Sequence, residues 1–172
     1  KPQKGSIRFA GNAQAIRDGH NLVIEALKKA KARSGVLVHC RYLNGKILYP
    51  YVALDQAVMM DDHNYNPLGG TPLYDQSAVT LATVLAKVQE FRDNGIPCRT
   101  VTLILTDGHD EHSVAHTLNT IRPVVRDMLM REDHIIAAMG IDDKVTDFRA
   151  IFREMGIDDK WVLTPANNDK EI

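Results

Sequence analysis

Two short stretches of this chain carry the residues best suited to chemistry. In the first, an apolar run from Val101 to Leu105 stops at Thr106-Asp107-Gly108, a carboxylate followed by a glycine. The second, about one helix upstream, is Gly69-Gly70-Thr71-Pro72-Leu73-Tyr74-Asp75. A hydroxyl and a carboxylate delivered by separate loops are hard oxygen donors, the kind Mg²⁺ takes while keeping several waters. Beyond Asp107, the stretch Gly108-His109-Asp110-Glu111-His112-Ser113-Val114-Ala115-His116 adds three histidines and two further acids. Such a set could hold zinc or iron and activate a bound water for hydrolysis. Its glycine and polar run predict a surface loop, whereas catalytic zinc sites draw their ligands from rigid elements. Asp61-Asp62-His63 reads as a solvated loop, with a carboxylate at a metal rim as the alternative.

Other chemistries find no support. No Gly-x-Gly-x-x-Gly follows a strand, Gly69-Gly70-Thr71 lacks the lysine of a phosphate-binding loop, and no Gly-x-Ser-x-Gly elbow is present. Cys40 and Cys98 read as small buried hydrophobes. Two cysteines make no disulfide framework and fit a reducing compartment, so the expected location is cytoplasmic. A net charge of −1 gives no electrostatic grip on nucleic acid or an anionic membrane, and no apolar run approaches the ~18 residues of a span.

The elements that must position these residues alternate. Asn12 is placed to cap a helix with Ile16, Val23, Leu27 and Ala30 on one face, ending before Gly35. Val36 to Cys40 and Ile47 to Ala53 read as strands joined through Asn44-Gly45, a hairpin signal, with Pro50 marking the second as an edge strand. Thr71 is a suitable N-cap, with Pro72 in the first helical position and Tyr74, Ala78, Leu81, Leu85 and Val88 on the buried face. Residues 101 to 106 have the continuous apolar character of a parallel strand covered on both faces. A helix over Thr120 to Arg131, where Pro123 must fall in the first turn, a strand from His134 to Ile141, a helix from Val145 to Met155 and a strand from Trp161 to Thr164 complete the pattern. This order predicts an α/β, Rossmann-like, three-layer open sheet, mostly parallel with one antiparallel edge strand and helices on both faces. Asp107 then sits at a strand's carboxyl end, where such sheets bind ligands.

With 172 residues, 44% of them hydrophobic, the chain reads as one domain. The opening helix has no apolar strand before it, and Asp169-Lys170-Glu171-Ile172 looks like the start of a helix, so a first central strand and a last helix are expected to be missing.

Gly69-Gly70-Thr71-Pro72-Leu73-Tyr74-Asp75 followed a helix later by Leu103-Ile104-Leu105-Thr106-Asp107-Gly108 resembles the von Willebrand factor type A domain, over roughly Gly5 to Ile172. The resemblance implies a metal-ion-dependent adhesion site in which Thr71 and Asp107 are the second- and third-loop ligands and Ser6 ends the first-loop Asp-x-Ser-x-Ser motif. At that motif the likeness breaks, because Pro2 and Lys4 stand where its Asp and first Ser belong. An ammonium at position 4 repels a cation; a gap in the chain between Lys4 and Gly5 would leave the intact motif in the missing stretch. What the resemblance implies for function is a protein-binding module. Its Mg²⁺, Mn²⁺ or Ca²⁺ keeps an open position that an Asp or Glu of another protein completes, and the module works within a larger assembly without being an enzyme. The alternatives are a metal-dependent hydrolase built on 107–116 and a structural domain of this type with no working metal site.

Overall fold

Asn44-Gly45 turns the chain back as expected: β1 (Leu37–Arg41) and β2 (Ile47–Ala53) form an antiparallel pair. Tyr42 O accepts from Gly45 N–H at 2.9 Å, and Tyr42 N–H donates to Lys46 O at 2.8 Å. With Gly45 at φ 87°, this is a three-residue loop whose glycine occupies the left-handed bulge position. Pro50 lies where the register slips, between the Val38↔Val52 and Cys40↔Tyr49 pairs, so its missing N–H removes no regular ladder bond.

The computed structural model describes residues 6–30, 35–65, 70–141 and 143–165, with the side chains of the first helix described from Ala13 onward. Pro2, Lys4, Gly5, Gly69 and the segment 169–172, on which sequence expectations were placed, lie outside the described residues. The chain divides into two compact units, Lys1–Gly69 with Ala166–Ile172, and Gly70–Pro165.

In the first unit α1 (Ser6–Lys29) starts six residues before Asn12, which therefore is not its cap. Its buried positions are Ala13 and Ile24, with Leu27 packed beside them, while Val23 is 52% exposed. Leu27 thus packs inward as expected, whereas Ile24 is buried in place of Val23. The deciding contact is with the hairpin: Ile24 joins Tyr49, Leu54 and Ala57 in a core that Val38, Cys40 and Val52 complete. Polar ties fix the same face, His20 Nε2 meeting Tyr49 Oη at 2.7 Å and the Asn21 amide bracketing the backbone of Met60. Burial pushes the Cys40 thiol up to about 11, as suits a packed, inert cysteine.

The second unit runs α2 (Leu73–Asp93), β3 (Thr100–Thr106), α3 (Leu118–Met130), β4 (His134–Gly140), α4 (Phe148–Glu154) and β5 (Val162–Leu163). Its strands form one parallel sheet in the order β3-β4-β5, with Thr100 opposite His134 and Thr106 opposite Gly140. α3 and α4 are the crossovers that parallel neighbours require. Pro123 is the sixth residue of α3, past the first turn; it lies on the exposed side. α2 buries Leu81 and Val88 as expected, with Leu73, Ser77 and Val84 in place of Tyr74, Ala78 and Leu85.

The sheet corrects the expectation of a strand covered on both faces. Thr102, Ile104 and Thr106 are buried with Ile136, Ala138 and Val162, whereas on the alternate positions Val101 is 75%, Leu103 55% and Leu163 57% exposed. Continuous apolar sequence says only that neither face carries charge; the period-2 alternation of burial is imposed by which face the helices cover.

At the amino end of the sheet His134 is buried, its Nδ1 2.7 Å from Thr100 Oγ1 and its Nε2 3.3 Å from Asp133 Oδ1. Burial lowers its pKa, with Arg92 and Arg131 adding to the effect and Asp133 opposing it. The unfolded chain therefore binds the extra proton: stability is full above the ordinary value near 6.5 and is lost as pH falls toward the lower folded value. We expect urea stability to decline between pH 7.5 and 5.5 with a slope of at most ~1.4 kcal/mol per pH unit from this group. A His134→Gln variant should flatten that slope. Equal slopes in the two proteins would show that His134 does not carry it.

Candidate metal centre

The helix that follows Thr71 begins without using the Thr71 hydroxyl. Pro72, at φ −76° and ψ 67°, holds an inverse γ-turn in which Leu73 N–H donates to Thr71 O at 2.8 Å. Thr71 is therefore not the N-cap of α2, and Pro72 stands one position earlier than expected. The reason lies in the next loop: Tyr74 N–H donates to Asp110 Oδ1 at 3.1 Å and Asp75 N–H donates to Ser113 Oγ at 3.0 Å. Two of the orphan donors of the first turn are thus satisfied from the 107–116 loop, and an acid sits at the positive end of the helix.

The same loop holds Thr71 by its backbone. Thr71 N–H donates to His112 Nδ1 at 3.3 Å, and Thr71 O accepts from Glu111 N–H at 3.2 Å. His112 lies flat on Gly70, where a Cβ would stand 2.7 Å from ring atom Cε1; only glycine permits that approach. Gly108 is the neighbour of the Thr71 hydroxyl, since a Cβ on Gly108 would lie 3.7 Å from Thr71 Oγ1. Among the described residues no hydrogen bond engages that hydroxyl. Thr106 Oγ1 donates to Gly108 O at 2.7 Å and accepts from Gly108 N–H at 3.2 Å, closing a tight turn around the half-buried Asp107.

The Gly70-to-Asp75 stretch and the loop after β3 are thus stitched into one surface, with Thr71 beside the residue that follows Asp107. A hydroxyl to which the described residues offer no bond, and the carboxylate one residue before its glycine neighbour, are both hard oxygen donors of the kind a divalent cation such as Mg²⁺ takes. Ser6 opens α1 in the other unit, and its side chain lies outside what is described.

Sequence reasoning missed Asp75. Its Oδ2 accepts from Val114 N–H at 2.9 Å, and its Oδ1 accepts from Ala115 N–H at 3.1 Å and His116 N–H at 2.7 Å. The Val114 N–H, joined by those of His116 and Ala115, outweighs partial desolvation and holds this carboxyl below the usual range. Ser113 Oγ–H donates in turn to Asp110 Oδ1 at 2.5 Å. One signal could have found this arrangement: a helix that opens on Pro72 supplies no side-chain cap of its own, so its donors must be met from elsewhere.

The three histidines of the loop diverge. His109 pairs with Glu111 at 3.4 Å, His112 faces Thr71 N–H, and His116 Nδ1 lies 3.4 Å from Thr120 Oγ1. Among the described residues the one group of three acidic or histidine ligands within reach of a common point is Asp61-Asp62-His63 in the first unit, and it is exposed. There Asp61 Oδ1 accepts from His63 N–H and Asn64 N–H, both at 2.9 Å, and His63 Nδ1 lies 2.8 Å from Asp62 Oδ1. That is the bonding of a solvated turn, with the backbone donors holding the Asp61 carboxyl below its ordinary range.

No protein-family model, curated protein or solved structure matches this chain. Among the described residues no helix is long and apolar enough to cross a membrane.

Proposed function

We propose that this chain is a von Willebrand factor type A-like domain, of Rossmann-like α/β architecture, that binds another protein through a divalent cation, Mg²⁺ or Mn²⁺, held by Thr71 and Asp107. The observation that supports the reading is the loop pairing: Thr71 is bonded through both backbone groups to residues 111 and 112, and its hydroxyl is left facing Gly108. Such bracketing fixes the backbone from which one small side chain projects, which a weak hydroxyl ligand needs. A bound cation would supply a positive centre with open positions, and an Asp or Glu of the partner protein is the group that such a centre takes. No nucleophile or acid–base pair enters this function. The divergence of His109, His112 and His116 gives the hydrolase alternative no common centre to work from.

Calorimetric titration of Mg²⁺ and of Mn²⁺ into the protein tests the proposal. Wild type is expected to bind, and Thr71→Ala and Asp107→Ala to weaken binding by at least about tenfold each. Absence of heat with wild type, or equal heats for all three proteins, would reject the site.

A further inference from the structure

Asp75 spends both carboxylate oxygens on the backbone of the facing loop, on Val114, Ala115 and His116 N–H. Its own N–H donates to Ser113 Oγ, whose O–H donates a hydrogen bond to Asp110 Oδ1, where Tyr74 N–H also donates. The loop that begins at Asp107 is thus fastened to the first turn of α2 at several points, all of them C-terminal to Thr71 on one side and to Asp107 on the other. From this juxtaposition we infer that Asp75 is a positioning residue, a latch that couples cation binding to docking of the 107–116 loop; the inference rests on the cation site proposed above.

The coupling follows from where the ligands reside. Thr71 belongs to the α2 side and Asp107 to the loop side, so a cation touching both binds only the docked arrangement. Its apparent affinity is the intrinsic one multiplied by the docked fraction. By reciprocity, whatever raises cation affinity through docking is itself strengthened by the cation. A partner gripping the exposed Val114, 94% accessible at the latched turn, would therefore meet a surface already ordered when the site is loaded.

Replacing Asp75 by asparagine exchanges one acceptor for an amide donor that faces backbone N–H groups. For Asp75→Asn the expected result is a 10–100-fold loss of Mn²⁺ affinity by calorimetry, the range usual for residues that orient ligands without touching the metal. Asp75→Glu, which keeps both acceptors, should recover part of it. Amide exchange at Val114, Ala115 and His116 should be faster in Asp75→Asn and slowed again by saturating Mn²⁺, while exchange at Ile136 and Ala138 in β4 stays that of wild type. Ser113→Ala, which removes only the hydroxyl bridge, should lose affinity in the same direction to a smaller extent and serves if Asp75→Asn does not fold. If wild type binds Mn²⁺ and Asp75→Asn and Ser113→Ala bind it equally well, the latch is overturned while the cation site stands. If wild type does not bind Mn²⁺, the site and the latch fall together.

Discussion

Phe152→Ala should lower the unfolding free energy by about 3–5 kcal/mol. Phe152 is fully buried, its ring stacked near that of Phe148 at 6.3 Å between centroids. It sits on α4, the helix that joins β4 to β5 and packs on both strands. Truncation removes the transfer free energy of the ring and leaves a cavity that the surrounding close-packed interior can fill only by rearranging. Because domains of this size are stable by about 5–15 kcal/mol in total, the variant should be only marginally folded. Urea unfolding followed by circular dichroism measures the change. Leu103→Thr, on the open face of the same sheet, is the control and should move stability by about 0.5 kcal/mol or less. Comparable losses from the two substitutions would mean that the sheet is not one-sided as described.

Gly140→Val is the second large effect. Gly140 ends β4 opposite Thr106, and a Cβ there would stand 2.6 Å from Phe148 Cδ1. Phe148 is 3% exposed and cannot swing into solvent, so relief requires moving α4 or the strand end. Overpacking of this kind costs about 1–3 kcal/mol and sometimes more. The damage reaches toward the candidate site, because the next residue ties the two strand ends together through Ile141 N–H to Thr106 O at 2.9 Å. We expect a lowered melting temperature for Gly140→Ala and a larger drop for Gly140→Val. In the double variant Gly140→Ala with Phe148→Ala the costs should be less than additive, since the collision with the ring is removed while Phe148 Cβ still crowds the new methyl. Strict additivity would place the strain elsewhere.

The hairpin was legible because its signal is local: Asn44-Gly45 suits a tight turn wherever it occurs, and flanking β-branched and aromatic residues suit strands. The order of strands and helices after it was legible for the same reason, as were the ends of β2 and β4 to within a residue. The stripes of α1 and α2 were only partly legible: Leu27, Leu81 and Val88 pack inward as expected, while Ile24 takes the place of Val23 and Leu73, Ser77 and Val84 those of Tyr74, Ala78 and Leu85. Apolar residues occupy adjacent positions there, Leu22, Val23 and Ile24 in α1 and Val84 and Leu85 in α2, so composition leaves the rotation of the helix open until a partner surface selects it.

The candidate site divides in the same way. Which residues could act as hard oxygen ligands, and that Thr71 and Asp107 stand at the edges of regular elements, was determined by the sequence itself, because residue chemistry and helix and strand periodicity are properties of a few neighbouring positions. That α2 would draw its caps from Asp110 and Ser113, leaving the Thr71 hydroxyl uncommitted, and that Asp75 would gather three N–H groups from residues 114 to 116, only the tertiary structure decided. Those bonds join groups nearly forty positions apart, and no local preference of the chain selects one distant donor over another; the packing of α2 on β3 and the loop bonds at its start do.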